Sequence, residues 1–186
     1  PGSGKTSLLI SMLTSKKKNR VFRKCFNHVL IVIPPSSIQS MKNNVFKDHD
    51  PEKIYDELNL ESILSIQARL NISSAQNENT LLILDDVGAN LKKLDIATIL
   101  KQIIYNRRHL KVHIIMLLQS FKSCALDLRK MMSNIFIYKP SKKEFECLFD
   151  ELFETRKDKA LDIMNLVYDQ PHQYLMLNIE SQRMYK

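Results

Sequence analysis

Apolar residues recur along this chain with two different periods. Leu8, Leu9, Met12 and Leu13 are spaced as on one side of a helix, which predicts a helix over Thr6–Ser15. Val29–Ile33 is instead short, continuously apolar and β-branched, and Pro34 and Pro35 end it. That is the pattern of a strand buried on both faces. The same signature returns at Leu81–Leu84; Val112–Leu118 and Ile135–Tyr138, which Pro140 stops, read as a third and a fourth strand, and a last strand is predicted near Tyr174–Ile179. Helical patterns fill the intervals. Ile96, Ile99, Leu100, Ile103 and Ile104 form one apolar stripe within Leu94–Ile104. Ala125–Met132, Lys142–Glu154 and Arg156–Val167 also read as helices. Residues 36–79 are less regular: Pro51–Leu58 and Glu61–Leu70 look helical, and Asn71–Thr80 reads as a polar loop.

Strands that alternate with helices and read as unbroken apolar runs predict an α/β fold, a mainly parallel sheet flanked by helices. With 186 residues, 44% of them apolar, one domain is expected over 1–186, with 141–186 as its C-terminal helical and strand extension. Position 1 is Pro rather than Met. The expected reading is an N-terminally truncated chain, with a first strand upstream of Pro1. The longest apolar runs, Val29–Ile33 and Ile114–Leu118, fall far short of the roughly 20 residues that span a bilayer. No signal peptide is visible. Cys25, Cys124 and Cys147 are odd in number and widely separated, which favours free thiols over a disulfide or zinc framework.

The net charge of +8 is unevenly distributed. Residues 1–25 carry seven Lys/Arg and no acid, and residues 101–143 carry ten against Asp127 alone. Residues 48–95 hold ten acids and four bases, and residues 144–186 nine acids and five bases. Two basic segments sharing a face would attract a polyanion; a solvated Lys-rich surface is the plainer reading.

The opening PGSGKTS carries the sharpest chemistry. A phosphate-binding loop has the pattern G-x-x-x-x-G-K-[ST], and Gly4-Lys5-Thr6 supplies its end, with the first Gly falling just before Pro1. Such a loop curls so that successive N–H groups point at phosphate oxygens beside a helix N-terminus. Two of the chain's three glycines, Gly2 and Gly4, lie within this curl. Gly2, Ser3, Gly4, Lys5, Thr6 and Ser7 are therefore the expected nucleotide-binding residues, Lys5 reaching the β- and γ-phosphates and the Thr6 hydroxyl ligating Mg²⁺. The alternative is a Gly-rich turn that merely starts a helix.

LLILDDVG offers the metal partner. A carboxylate at the carboxyl end of a buried strand can hold Mg²⁺, the task assigned to Asp85, and Asp86 could take a proton from an attacking water. Acidic helix capping is the ordinary alternative for both. Gln119 closes the strand IIMLLQ, where its amide could bridge a γ-phosphate and the lytic water or simply satisfy loop backbone. Arg107 and Arg108 stand just before that strand, and Arg129 follows it. Any of the three could neutralise charge on a neighbouring subunit's phosphate, or serve as an exposed cation that complements a helix dipole.

In this order PGSGKTS, LLILDDVG, NRRHLKVHIIMLLQS and LDLRKMMSNIFIY resemble the genome-packaging ATPases of large DNA viruses and virophages, the poxvirus-type branch of the FtsK–HerA superfamily. The likeness runs from Pro1 to about Tyr138 and continues weakly through Tyr168–Tyr185. It implies a RecA-like P-loop NTPase fold and an ATP- and Mg²⁺-dependent motor that pulls double-stranded DNA into a preformed capsid. It further implies a homo-oligomeric ring, contact with capsid vertex proteins, and a place in the viral factory of the host cytoplasm or in the virion. Residue by residue, Lys5 and Thr6 match the phosphate loop, Asp85 the Mg²⁺ acid, Asp86 the catalytic acid, Gln119 the polar sensor and Arg108 the arginine finger. Asp86 departs from the wider superfamily, whose cellular members usually carry Glu there. Two other readings compete: a small-molecule P-loop kinase, and a non-catalytic nucleic-acid-binding module. A GTPase is disfavoured because no N-K-x-D motif is present to read guanine.

Overall fold

Val29–Ile33 and Leu81–Leu84 are apolar without interruption, so their only stable place is inside a sheet covered on both faces. The computed structural model, which describes residues 3–15, 22–39, 41, 45–154 and 156–186, puts them there. Two compact units emerge, Thr6–Gln119 and the pairing of Pro1–Lys5 with Ser120–Lys186.

In the first unit, β1 (His28–Val32), β2 (Ile54–Tyr55), β3 (Thr80–Asp85) and β4 (Val112–Leu117) form a parallel sheet in the order β2-β1-β3-β4. All six residues of β3 are buried. One sheet face, with Ile31, Ile33, Leu81, Ile83 and Leu117, packs with Leu9 and Leu13 of α1 (Lys5–Thr14) and Ile38 of α2 (Pro35–Gln39). Leu30, Val32, Leu82 and Leu84 alternate to the other face and are equally buried. The stripes of α3 (Leu60–Ala75) and α4 (Leu94–Tyr105), among them Ile63, Ile66, Leu70, Ile96, Leu100 and Ile103, are excluded from water, and these two helices pack on one another. A capping box starts α3: the Asn59 side chain accepts from Ser62 N–H while the Ser62 hydroxyl accepts from Asn59 N–H, both at 2.9 Å.

Two expectations fail here. Pro51–Leu58 is not a helix: a single 3₁₀ turn, Pro51–Lys53, leads into β2, which pairs with Ile31 and Val32. Asn71–Thr80 is not all loop, because α3 runs on to Ala75, with Ser73 buried and its hydroxyl donating to Arg69 C=O. Polar residues sustain these last turns by bonding back to their own helix rather than by burying a stripe.

In the second unit, β5 (Asn134–Tyr138), β6 (Tyr174–Asn178) and β7 (Arg183–Tyr185) form an antiparallel sheet with Tyr138 opposite Tyr174. Its core joins Ile137, Leu175 and Leu177 to Phe145, Leu148 and Phe149 of α6 (Lys142–Phe153) and to Ala160 and Val167 of α7 (Lys157–Val167). Tyr168 donates its buried hydroxyl to Ile137 C=O at 2.7 Å. A short helix, α5 (Leu126–Lys130), precedes β5. Among the described residues no helix is long and apolar enough to cross a membrane.

Candidate functional site

The phosphate-loop sequence turns where expected. Gly4 has φ +99°, a conformation that L side chains rarely adopt, and α1 starts on the next residue. The first turn of α1 contains no acid, so its positive dipole end is not neutralised from within. The Lys5 ammonium donates to the Ser3 hydroxyl at 3.0 Å, Thr6 is partly buried and Ser7 is exposed. The Gly4 carbonyl accepts a hydrogen bond from the Tyr138 hydroxyl at 3.1 Å. Pro1, Gly2 and the basic residues Lys16, Lys17, Lys18 and Arg20 lie outside the described residues.

The two aspartates occupy the carboxyl edge of the parallel sheet. Asp85 is the last residue of β3, paired with Leu117 of β4, and is 7% exposed. Asp86 leaves the strand with φ 53°, a left-handed turn that a short polar side chain tolerates. That turn swings its carboxylate into solvent and ties its N–H to Leu117 C=O at 3.3 Å. Gln119, two residues past the end of β4, donates its side-chain amide to Asp86 Oδ1 at 2.7 Å. The expected sensor and the expected catalytic acid are thus one hydrogen-bonded pair, though 33 residues separate them in sequence.

Beside them is a cavity of about 30 Å³ lined in part by Asp56, Glu57, Asp85, Asp86 and Asn90, room for about one water-sized occupant. Asn90 donates to Glu57 at 2.9 Å. Carboxylates are the hard oxygen donors that Mg²⁺ takes, but among the described residues no three acidic, His or Cys side chains converge closely enough to hold a metal ion by themselves. Asp56 and Glu57 were not singled out from sequence; their approach depends on β2, which was itself misread.

The three arginines separate clearly. Arg107 and Arg108 stand in the turn before β4, so the whole six-residue strand, about 20 Å long, lies between them and Gln119. Arg107 is partly tied down, donating to Ile104 C=O at 3.2 Å; Arg108 is exposed. Arg129 is enclosed. Its guanidinium meets Glu151 through two bonds of 3.0 and 2.7 Å, lies 4.6 Å above the Phe121 ring, and reaches Phe121 C=O at 3.5 Å. Glu144 accepts from the Ser120 hydroxyl at 2.9 Å and from Phe121 N–H at 2.6 Å, fixing the segment just beyond Gln119. Sequence reasoning missed Tyr138, Glu144 and Glu151. Only Tyr138 left a trace, as the last polar-tipped residue of a predicted strand.

Comparison with solved structures finds the genome packaging NTPase B204 of Sulfolobus turreted icosahedral virus 2. Its complex with AMP matches at a TM-score of 0.68 and 16% identity, over 99% of this chain and 91% of that one. Its complex with AMPPCP matches at a TM-score of 0.64 and 14% identity over the same shares. At such identities the likeness speaks to the fold, and this chain has the fold of that P-loop packaging NTPase. No curated protein sequence matches significantly. The model of the Poxvirus A32 protein family, however, matches residues 1–184, in keeping with the resemblance seen in the motifs, and the chain belongs to that family.

Proposed function

We propose that this protein is an ATPase subunit that drives double-stranded DNA into a viral capsid. One observation carries the catalytic part: the 2.7 Å bond from Gln119 to Asp86, at the carboxyl edge of a parallel sheet and one residue from buried Asp85. Open α/β sheets bind ligands at that edge. Membership of the Poxvirus A32 family and the fold shared with a packaging NTPase support the biological setting.

In this reading Ser3, Gly4, Lys5, Thr6 and Ser7, together with Gly2, cradle the triphosphate. Thr6 and Asp85 would hold Mg²⁺, which when bound neutralises charge on the β- and γ-phosphate oxygens. Asp86 accepts the proton of the attacking water as its oxygen bonds to the γ-phosphorus. The bond to the bridging oxygen breaks, leaving ADP and phosphate. Gln119 holds the Asp86 carboxylate in place and passes the state of the site to the segment that follows it. Arg108 is too far along β4 to serve its own Asp86, so it acts on the next subunit of a homo-oligomeric ring. DNA contact is through phosphates and independent of sequence, with basic residues of the Lys16–Lys24 and Arg107–Lys143 segments contributing, and affinity falls steeply as salt rises. The motor works at a capsid vertex, in the viral factory or on the virion.

The test is ATP turnover with and without double-stranded DNA, with Lys5→Ala as control. DNA-stimulated hydrolysis that Lys5→Ala abolishes is expected. Phosphate transfer to a small acceptor would make the protein a kinase instead. Binding of DNA without any turnover would make it a non-catalytic module.

A further inference from the structure

The Gly4–Lys5 peptide is held from outside the loop, and that contact has a directional consequence. In a trans peptide the carbonyl and the N–H of one unit point to opposite sides, and the chain contains no cis peptide among its described residues. The Gly4 carbonyl receives the Tyr138 hydroxyl at 3.1 Å, so the Lys5 N–H points away from Tyr138. That N–H belongs to the first turn of α1, whose donors have no carbonyl partner within the helix and are what a phosphate meets at a helix N-terminus.

Tyr138 is well fixed for this task. It ends β5, its strand partner is Tyr174, and the two rings lie 5.7 Å apart. The fit is close on the loop side as well: a Cβ on Gly4 would meet the Tyr138 ring at 3.4 Å. Burial, and then the neighbouring Tyr174, raise the phenol above the ordinary tyrosine range, so it stays a protonated donor at neutral pH.

We infer that Tyr138 is a positioning residue of the phosphate loop: by holding the Gly4 carbonyl it aims the Lys5 N–H at the phosphates of the bound nucleotide. The inference rests on the nucleotide reading above and adds a residue to it. Tyr138 need not touch the nucleotide to act in this way.

Tyr138→Phe keeps the ring and deletes the hydroxyl. Losing one aiming hydrogen bond should weaken Mg-ATP binding about 3- to 10-fold. Because the effect is on the phosphates, Mg-tripolyphosphate, which has no base or sugar, should weaken by the same factor. The turnover signature is a raised KM for ATP with kcat changed much less. A direct readout exists because the chain has a single Gly–Lys peptide bond. Labelling glycine carbonyls with ¹³C and lysine nitrogens with ¹⁵N therefore gives one NMR correlation, from the Lys5 amide. It should shift on adding Mg-tripolyphosphate to the wild type, and shift less in Tyr138→Phe at matched saturation. Tyr138→Leu, also without the hydroxyl, gives the same reading should Tyr138→Phe not fold. Wild-type binding that the variant matches within about twofold, or a loss seen with ATP but not with tripolyphosphate, overturns the inference alone. A wild type that binds neither probe overturns the nucleotide reading, and this inference with it.

Discussion

Arg129 has the sequence position of a trans-acting arginine but the surroundings of a structural one, and the two roles predict opposite results. Its side chain is 11% exposed and that of Glu151 is 15% exposed, with two charge-assisted bonds between them. Replacing Glu151 by Leu leaves a guanidinium enclosed without its counter-charge. Breaking a buried pair from one side costs about 3–5 kcal/mol. At roughly 2–4 °C per kcal/mol for a chain of this size, Tm should fall by about 6–20 °C. Arg129→Met removes the other partner and also the cation above the Phe121 ring, worth about 0.5–2 kcal/mol more. The double variant Arg129→Met/Glu151→Leu should regain most of the loss, because exchanging a whole buried pair for apolar groups of similar volume is close to neutral.

Calorimetry or circular dichroism on the four proteins closes this double-mutant cycle, with ATPase activity read alongside well below each Tm. The expected coupling is at least about 2 kcal/mol, with per-subunit turnover in the double variant near wild type. An unchanged Tm in Arg129→Met together with lost turnover would refute the reasoning, since the side chain would then have to leave Glu151 and serve a neighbouring subunit.

Arg108→Ala should lower kcat by about 10³–10⁵ while leaving Tm unchanged, because the side chain is exposed. If it acts in trans, mixing Arg108→Ala with Lys5→Ala restores activity at roughly a quarter of the interfaces of a randomly assembled ring; no recovery on mixing places it in cis or outside the chemistry. Gly4→Ala forces an L residue to φ +99° and should abolish Mg-ATP binding measured by calorimetry, whereas binding within a few-fold of wild type would mean the loop is not held in this shape. Burial pushes the Cys124 thiol up to about 11, against the opposing pull of Arg129, so a thiol reagent at pH 8 should modify exposed Cys25 first and Cys124 only on unfolding. The same shift stabilises the fold fully below about pH 9, where the unfolded thiol titrates, and that contribution disappears as pH rises through 11; a fold whose stability is level across that window in wild type but not in Cys124→Ala would contradict it.

Physical reasons separate what the sequence discloses from what it withholds. β3 is legible because burial on both faces favours an unbroken apolar run, a constraint that acts on the strand alone. β1 shows it over its last three residues, and β4, an edge strand with exposed His113, shows it only in the apolar run that follows that residue. β2 is not legible: two residues carry no period, and Ile54 and Tyr55 are extended only because Ile31 and Val32 lie alongside. Ile135–Tyr138 announces a strand but not its direction, since antiparallel pairing with β6 is decided about 40 residues downstream. The candidate site divides in the same way. Gly4, Lys5, Asp85, Asp86 and Gln119 are marked by residue type, because a curl, a cation, a strand-end acid and an amide each call for a particular residue. Their bonds depend instead on strand register. Asp85 faces Leu117, which puts Asp86 and Gln119 just beyond the same edge; a slip of one residue would send Gln119 to the opposite face and leave Asp86 without its donor. Glu151 is the converse case. Nothing in its neighbourhood on α6 identifies it as the partner of Arg129, so an arginine read alone looks available for catalysis when its charge is already held within the fold.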